Sequence, residues 1–274
     1  MAILLAAPVQ ALQAAGTLEQ IAKTGKLRIG FRESSPPMSF RDKDGKPTGY
    51  SVELCKRIAT GVKNKLGKEV TVEYVAVTAK NRFDALTQNK IDILCGPTTK
   101  TLSRAKRVDF TQLTFVTGAS LMTVAGKEIR EISGFSGKKI GVTRATTTEK
   151  VLRQMLKESL ADAQVVLVNS KEEGIEALKS GKIDAFSADQ VVLMGLAMTS
   201  GEKFAIASDV FSYEPFALAV RRNDADFRLV ADSVLSQLYR SGLILGIYNE
   251  WFGRFSKKRP AIFDALYQIN ATPE

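Results

Sequence analysis

Apolar residues recur along this chain in two alternating rhythms. Lys26–Gly30 (KLRIG) is a short apolar run that predicts a strand. From Tyr50 to Gly61, Val52, Cys55, Ile58 and Ala59 fall at helical spacing. Glu69–Val77 (EVTVEYVAV) alternates with the period of a strand, Asn81–Asn89 reads as a helix, and Ile91–Cys95 as a buried strand. A β–α–β–α–β succession calls for a mostly parallel sheet with helices on both faces.

The pattern then restarts. Beyond Lys127–Phe135 it predicts a strand at Lys139–Val142, a helix from Glu149 to about Leu160, a strand at Val165–Val168, a helix at Glu172–Leu178 and a strand at Ile183–Phe186. A second, similar sheet follows. Phe115–Thr123 (FVTGASLMT) and Phe216–Val220 (FALAV) are extended and suit strands that cross between lobes as hinges. Ala225–Phe252 reads as helical, ending near Trp251, the only tryptophan. The simplest arrangement builds one lobe from both ends of the chain, residues 16–116 and 217–274, with a second lobe, 117–216, inserted between them. Ligands of open α/β sheets bind beyond the carboxyl ends of the strands. A cleft between two such lobes gathers those ends from both sides.

Charge and composition narrow the chemistry. The formal net charge is +10, yet Lys and Arg are scattered among Asp and Glu without the clustered, aromatic-interleaved patch of a nucleic-acid binder. A diffuse positive bias favours small anionic ligands. The 274 residues include no histidine, which removes His-based triads, most zinc sites and the commonest acid–base group. Cys55 and Cys95 lack metal-ligand spacing; two buried thiols and one disulfide both remain open. Residues 1–15 (MAILLAAPVQALQAA) read as a signal-peptide remnant, an h-region and small-residue cleavage zone without the charged start. Thr17-Leu18-Glu19-Gln20 reads as a capping box, with Gly25 as the helix stop. No apolar run approaches the roughly 18 residues that span a bilayer.

Three segments follow predicted strands and face the expected cleft. In Phe31–Phe40 (FRESSPPMSF), Arg32 stands at a strand end and Ser34-Ser35-Pro36-Pro37 forces an irregular loop. In Cys95–Phe110, Gly96 and Pro97 end a strand, Thr98 and Thr99 supply hydroxyls, and Arg104 offers the planar fork that grips a carboxylate. In Gly141–Lys150, Thr143, Thr146 and Thr147 precede a helix whose free amides make an anion site or a plain cap. Asp189, just past another strand, suits an ammonium group.

Taken in order, RESS, NRFDAL, CGPTTKTLSRAKRVDF, GKKIGVTRATTTEKVL, SGKIDAFSAD and NEWF resemble the bacterial extracellular amino-acid-binding proteins of ABC importers, most closely the glutamate/aspartate-binding branch. The resemblance runs from about Thr17 to Phe255. It implies an α/β, two-lobed periplasmic-binding-protein fold of type II, two parallel-type sheets with helices on both faces joined by two hinge strands. It further implies a monomeric periplasmic protein without enzymatic activity, cofactor or nucleic-acid partner, which passes a small amino acid to a membrane permease. On that pattern Arg104 and Thr99, helped by Thr143 and Thr146, hold the α-carboxylate. Asp189 and the Pro97 carbonyl take the α-ammonium, and Arg32 and Arg82 clamp a side-chain carboxylate. The chain departs from the branch at Ala79 and Pro97, where serines are expected, and at Glu172 and Glu173, which begin a helix where a histidine is expected. A glutamate there, unless it points away or is protonated, would repel an acidic side chain and open the cleft to a neutral or amide side chain or another small carboxylate.

Two rivals share the scaffold. Cyclohexadienyl (arogenate/prephenate) dehydratases resemble these binders and need a carboxylic acid to protonate a leaving hydroxyl. Glu173, or Glu172, is the only candidate, and a helix N-terminus favours the ionised form instead. A ligand-sensing domain of a receptor would require a membrane segment beyond Glu274; the final ATPE reads as a natural stop, which ranks this rival last.

Overall fold

The computed structural model describes residues 16–129, 132–256 and 258–273. In chain order its elements are α1 (Thr17–Thr24), β1 (Lys26–Phe31), β2 (Ser34–Ser35), β3 (Ser39–Arg41), β4 (Pro47–Thr48), α2 (Tyr50–Leu66), β5 (Thr71–Ala76), α3 (Arg82–Thr87), β6 (Ile93–Cys95), α4 (Leu102–Ala105), β7 (Val108–Thr117), β8 (Ala119–Val124), β9 (Lys139–Thr143), α5 (Thr147–Glu158), β10 (Gln164–Val168), α6 (Lys171–Lys179), β11 (Ala185–Asp189), α7 (Gln190–Thr199), β12 (Phe204–Ile206), β13 (Glu214–Arg221), α8 (Ala225–Arg240), α9 (Leu243–Phe252) and α10 (Ala261–Ile269). A short 3₁₀ turn, Ile132–Phe135, precedes β9. The signal remnant expected at 1–15 lies outside the described residues.

Two five-stranded sheets carry the fold, ordered β5-β1-β6-β13-β7 and β10-β9-β11-β8-β12. Each has three parallel strands, then an antiparallel strand beside them. The sheets are therefore mixed: each antiparallel strand, β13 or β8, abuts a crossing between the lobes and reverses direction there. The first crossing breaks at Gly118 between β7 and β8; the second ends at β13, whose Glu214 pairs with Thr117.

The lobes share a register that extends to single hydrogen bonds. Ala85-Leu86…Lys90-Ile91-Asp92 and Ala177-Leu178…Lys182-Ile183-Asp184 fold the same way. The Ala85 carbonyl accepts from the amides of Lys90 and Ile91, and the Ala177 carbonyl from those of Lys182 and Ile183. The Asp92 carboxylate accepts from the Arg28 amide at 2.8 Å, and that of Asp184 from the Lys139 amide at 2.8 Å. Each isoleucine packs over a glycine of the middle one of the three parallel strands: a Cβ at Gly30 on β1 would lie 2.4 Å from Ile91 Cδ1, and one at Gly141 on β9 2.4 Å from Ile183 Cδ1. Two similar units built this way present equivalent strand ends to one another.

Several local expectations are corrected. Thr17 does not cap α1; Gly16 holds the N-cap position without a side-chain bond, and the Thr17 hydroxyl donates to Asp224 at the start of α8. A tertiary ionic group takes the hydroxyl that a local cap would use. The single helix read across 225–252 is two, α8 and α9, separated at Ser241-Gly242, where Gly242 has φ 73°. Gln190–Thr199 (QVVLMGLAMT) is a helix that no periodicity announced, because it is apolar nearly all round. Cys55 on α2 and Cys95 at the end of β6 form a disulfide that ties helix to sheet.

Candidate functional site

The carboxyl ends of β1, β6, β9, β10 and β11 converge where the lobes meet. They deliver Arg32, Pro97–Thr99, Thr143, Lys171 and Asp189; α3 adds Arg82, α4 adds Arg104 and the first turn of α5 adds Thr147. The lobes are in contact. The β2–β3 hairpin packs against α6 and α7, and the hydroxyls of Thr99 and Thr147 lie 3.2 Å apart across the junction.

Among the described residues no carboxylate makes a direct ion pair with Arg32, Arg82 or Arg104, and burial works against the charge of each. Arg32 is 6% exposed, its amide donates to Ser39 Oγ at 2.9 Å, and burial lowers its pKa to about 10 against the pull of Glu172 and Asp189. Arg82 is 2% exposed, and its guanidinium lies 4.9 Å over the Phe83 ring. Burial first, then repulsion from Arg104 and Arg32, pushes its pKa well down. Half-buried Arg104 stacks on Phe83 as well, at 5.4 Å, and donates to the Thr99 carbonyl at 2.8 Å. Phe83 thus fixes two cations through its negative ring face.

Asp189 is the anion that all of them feel. Burial raises its carboxyl to about 6, with Lys171, Arg104 and Arg82 pulling back and Glu214 adding to the rise. Among the described residues, five buried side-chain atoms have no hydrogen-bond partner. Three are Arg82 Nε, Thr143 Oγ1 and Asp189 Oδ1; Ser35 Oγ and Trp251 Nε1 are the others. An orphaned buried polar group costs about 1–3 kcal/mol, so several at one junction mark a surface built to meet something polar. Thr146 differs: its hydroxyl donates to the Thr143 carbonyl at 2.7 Å and accepts from the Glu149 amide, a working N-cap. Pro97 is half-buried in the turn after β6.

Two charged residues escaped the sequence reading. Lys171, not Glu172 or Glu173, enters the cleft. It is 4% exposed, and burial lowers its ammonium to about 8, with Asp189 resisting the shift and Arg32 and Arg82 adding to it. Both glutamates are exposed. Glu173 accepts from the Asn169 amide at 2.7 Å and from its side chain at 2.9 Å, while Ser170 caps the Glu173 amide. Those bonds, the Asn169 amide first, hold the Glu173 carboxyl below its ordinary range. Of the two acids weighed for dehydratase chemistry, Glu173 is thus held at the helix start in its ionised form, and Glu172 is exposed beside it. The signal was present: Ser170-Lys171-Glu172-Glu173 is a capping box, which turns Glu173 back toward the helix start and leaves Lys171 on the inner face. The second residue, Glu214, is 1% exposed and accepts from the hydroxyls of Thr99 and Thr147. Among the described residues no group of three His, Cys, Asp or Glu is arranged as metal ligands would be.

Four cations (Arg32, Arg82, Arg104, Lys171) thus face two buried carboxylates, Asp189 and Glu214. The model for bacterial extracellular solute-binding proteins, family 3, matches residues 27–254. The L-glutamate/L-aspartate-binding protein of Pseudomonas aeruginosa is 33% identical over 257 residues, covering 92% of this chain and 85% of its own. The glutamate/aspartate import solute-binding protein of Escherichia coli K12 is 31% identical over 252 residues, covering 90% and 83%. Among solved structures, an ancestral amino acid-binding protein, a precursor of cyclohexadienyl dehydratase, superposes with a TM-score of 0.74 at 29% identity, covering 86% of this chain and 99% of that one. The architecture is that of a type II periplasmic binding protein. In sequence and in two-lobed fold alike, the chain belongs to the bacterial extracellular solute-binding proteins of family 3.

Proposed function

We propose that this protein is the substrate-binding component of an ABC importer, that it works in the periplasm, and that its ligand is an acidic amino acid, L-glutamate or L-aspartate. The observation that carries the reading is the excess of buried cations at the lobe junction, among which Arg82 and Asp189 keep unpartnered polar atoms. A dicarboxylic amino acid matches it group for group. Arg104 takes the α-carboxylate with Thr143. Thr99 assists through its amide, since its hydroxyl proton is donated to Glu214. Thr146 serves by holding the first turn of α5 in place. Asp189 and the Pro97 carbonyl receive the ammonium. Arg32, Arg82 and Lys171 surround the side-chain carboxylate, offsetting its desolvation with three cations. The inserted lobe, 117–216, closes on the other about the two crossings, and the ligand favours the closed form because it touches both. The closed pair of lobes then docks on a membrane permease.

The test is calorimetric titration of refolded, ligand-free protein with glutamate, aspartate, glutamine, asparagine, arginine and prephenate. Micromolar or tighter binding of an acidic ligand, about −8 kcal/mol or better, is the expected result, with arginine rejected by the cation cluster. Binding of amides alone would overturn the acidic assignment, and turnover of prephenate would overturn the transport reading.

The pH profile adds an independent check. Asp189 must be ionised to attract an ammonium, and its raised pKa moves the onset of protonation up to about 6. Lys171 must be protonated to attract a carboxylate, and its lowered pKa moves the loss of charge down to about 8. Glutamate affinity should therefore hold level between these values and fall by up to about tenfold per pH unit on either side. Lys171→Met should remove the alkaline limb and leave the acidic one. A profile flat across both limbs would contradict these roles.

A further inference from the structure

We infer that Glu214 is a positioning residue that latches the two lobes together, setting the balance between open and closed forms without touching the ligand. The inference rests on the binding-protein reading above. Three segments meet on this one carboxylate, and a fourth reaches it through Ser212. Oε2 accepts from Thr99 Oγ1 at 2.5 Å, in the loop after β6 of the first sheet, and from Thr147 Oγ1 at 2.7 Å, at the first position of α5 on the second. Oε1 accepts from Ser212 Oγ at 2.9 Å in the returning crossing, and Ser212 Oγ accepts from the Ala119 amide at 2.9 Å in the outgoing one.

A carboxylate that is 1% exposed needs donors to offset its lost hydration. Glu214 has three hydroxyls, the positive end of α5 and the nearby charge of Arg104. Thr99 and Thr147 lie on opposite lobes, so when the lobes part about Gly118 and Ser212–Glu214 the carboxylate can keep only one of their two bonds, and the other must break. A hydrogen bond to an ionised acceptor is stronger than a neutral one, so its loss on opening favours the closed form. The same bonds orient Thr99, beside the expected α-carboxylate site, and hold the α5 N-terminus against it. An unliganded molecule would then spend part of its time closed, and ligand affinity would gain by that pre-organisation.

Two near-isosteric variants test this, Thr147→Val and Glu214→Gln; the cap on α5 is supplied by Thr146, so the first leaves the helix intact. Closure is read by small-angle X-ray scattering and by the fluorescence of Trp251, which lines a crevice with Pro36, Pro37 and Gly195 between the lobes. In the ligand-free state both variants should scatter as more open molecules than the parent. Glutamate should be released faster, and every ligand of the titration panel should weaken by the same factor, about 5- to 20-fold, with the double variant no worse than the stronger single one. Parent-like scattering and affinity in both variants would overturn the latch. A changed ranking of ligands would overturn it too, by making Glu214 a contact residue. Scattering of the ligand-free protein decides the matter even if no amino acid binds, so failure of the latch and failure of the transport reading remain distinguishable.

Discussion

Arg104→Ala should weaken the binding of glutamate, aspartate and their amides alike, by about two to three and a half orders of magnitude. The estimate comes from the roughly 3–5 kcal/mol lost when one partner of a buried ion pair is removed and the other charge stays desolvated. Arg104 is placed for this role by two fixed contacts, the Thr99 carbonyl and the Phe83 ring, so its fork is oriented before a carboxylate arrives. Its loss also unmasks Asp189 and Glu214, which it partly neutralises, and both would then repel an incoming α-carboxylate. Arg82→Ala and Arg32→Ala should behave differently. They remove mainly the acidic ligands and spare the amides, because the groups around the α-carbon remain. Arg82→Ala should in addition leave the ligand-free protein as stable as before or more so, since its guanidinium is buried against two like charges with Nε unpartnered. Calorimetry over the ligand panel and thermal denaturation without ligand separate these outcomes. Parent-like affinity in Arg104→Ala would remove the α-carboxylate assignment.

Much of this was readable from the chain, for physical reasons that also mark where reading stops. The strand–helix alternation announced the parallel parts of both sheets, since fully buried strands such as Ile91–Cys95 leave short apolar runs between turn residues. The antiparallel partners were harder: β7 begins at Val108, ahead of the stretch read as extended from Phe115 onward, and its register depends on pairing with β13, about a hundred positions away. The helix α7 carries no polar face to give it a period. At the site, Arg32, Thr143 and Asp189 stand at strand ends and are buried at the junction, as is Arg82, which only the family resemblance named. Lys171 was missed because charge was weighed without the phase of the helix that carries it. Glu214 was missed for a different reason: a glutamate opening an apolar strand looks like surface charge, and only the folded chain brings Thr99, Thr147 and Ser212 to it.

Gly195→Ala should separate folding from closure by moving them in opposite directions. Gly195 lies inside α7, where alanine is favoured over glycine by about 1 kcal/mol; the ligand-free protein should therefore melt a few degrees higher. Yet an added Cβ would stand 2.3 Å from the Pro36 carbonyl oxygen, 2.5 Å from its carbon and 2.8 Å from Pro37 N, all backbone atoms of the opposing lobe. That loop has little room to retreat. Two consecutive prolines fix its φ angles, the Met38 amide donates to the Ser35 carbonyl, and the Tyr50 amide donates to that of Pro37. The lobes must instead stay apart by a fraction of the missing distance. Overpacking of this kind costs about 1–3 kcal/mol, which corresponds to roughly a 5- to 150-fold loss of affinity for every ligand. A variant that is at once more stable when empty and a weaker binder would show that closure depends on backbone-to-backbone contact at this one position. Unchanged affinity would mean that the bound lobes sit farther apart here than Gly195 and Pro36 do in the present arrangement. In that case the opposed faces of α7 and the Pro36–Pro37 turn would be spectators to binding, and the closing force would have to come from the cation cluster and the Glu214 carboxylate alone.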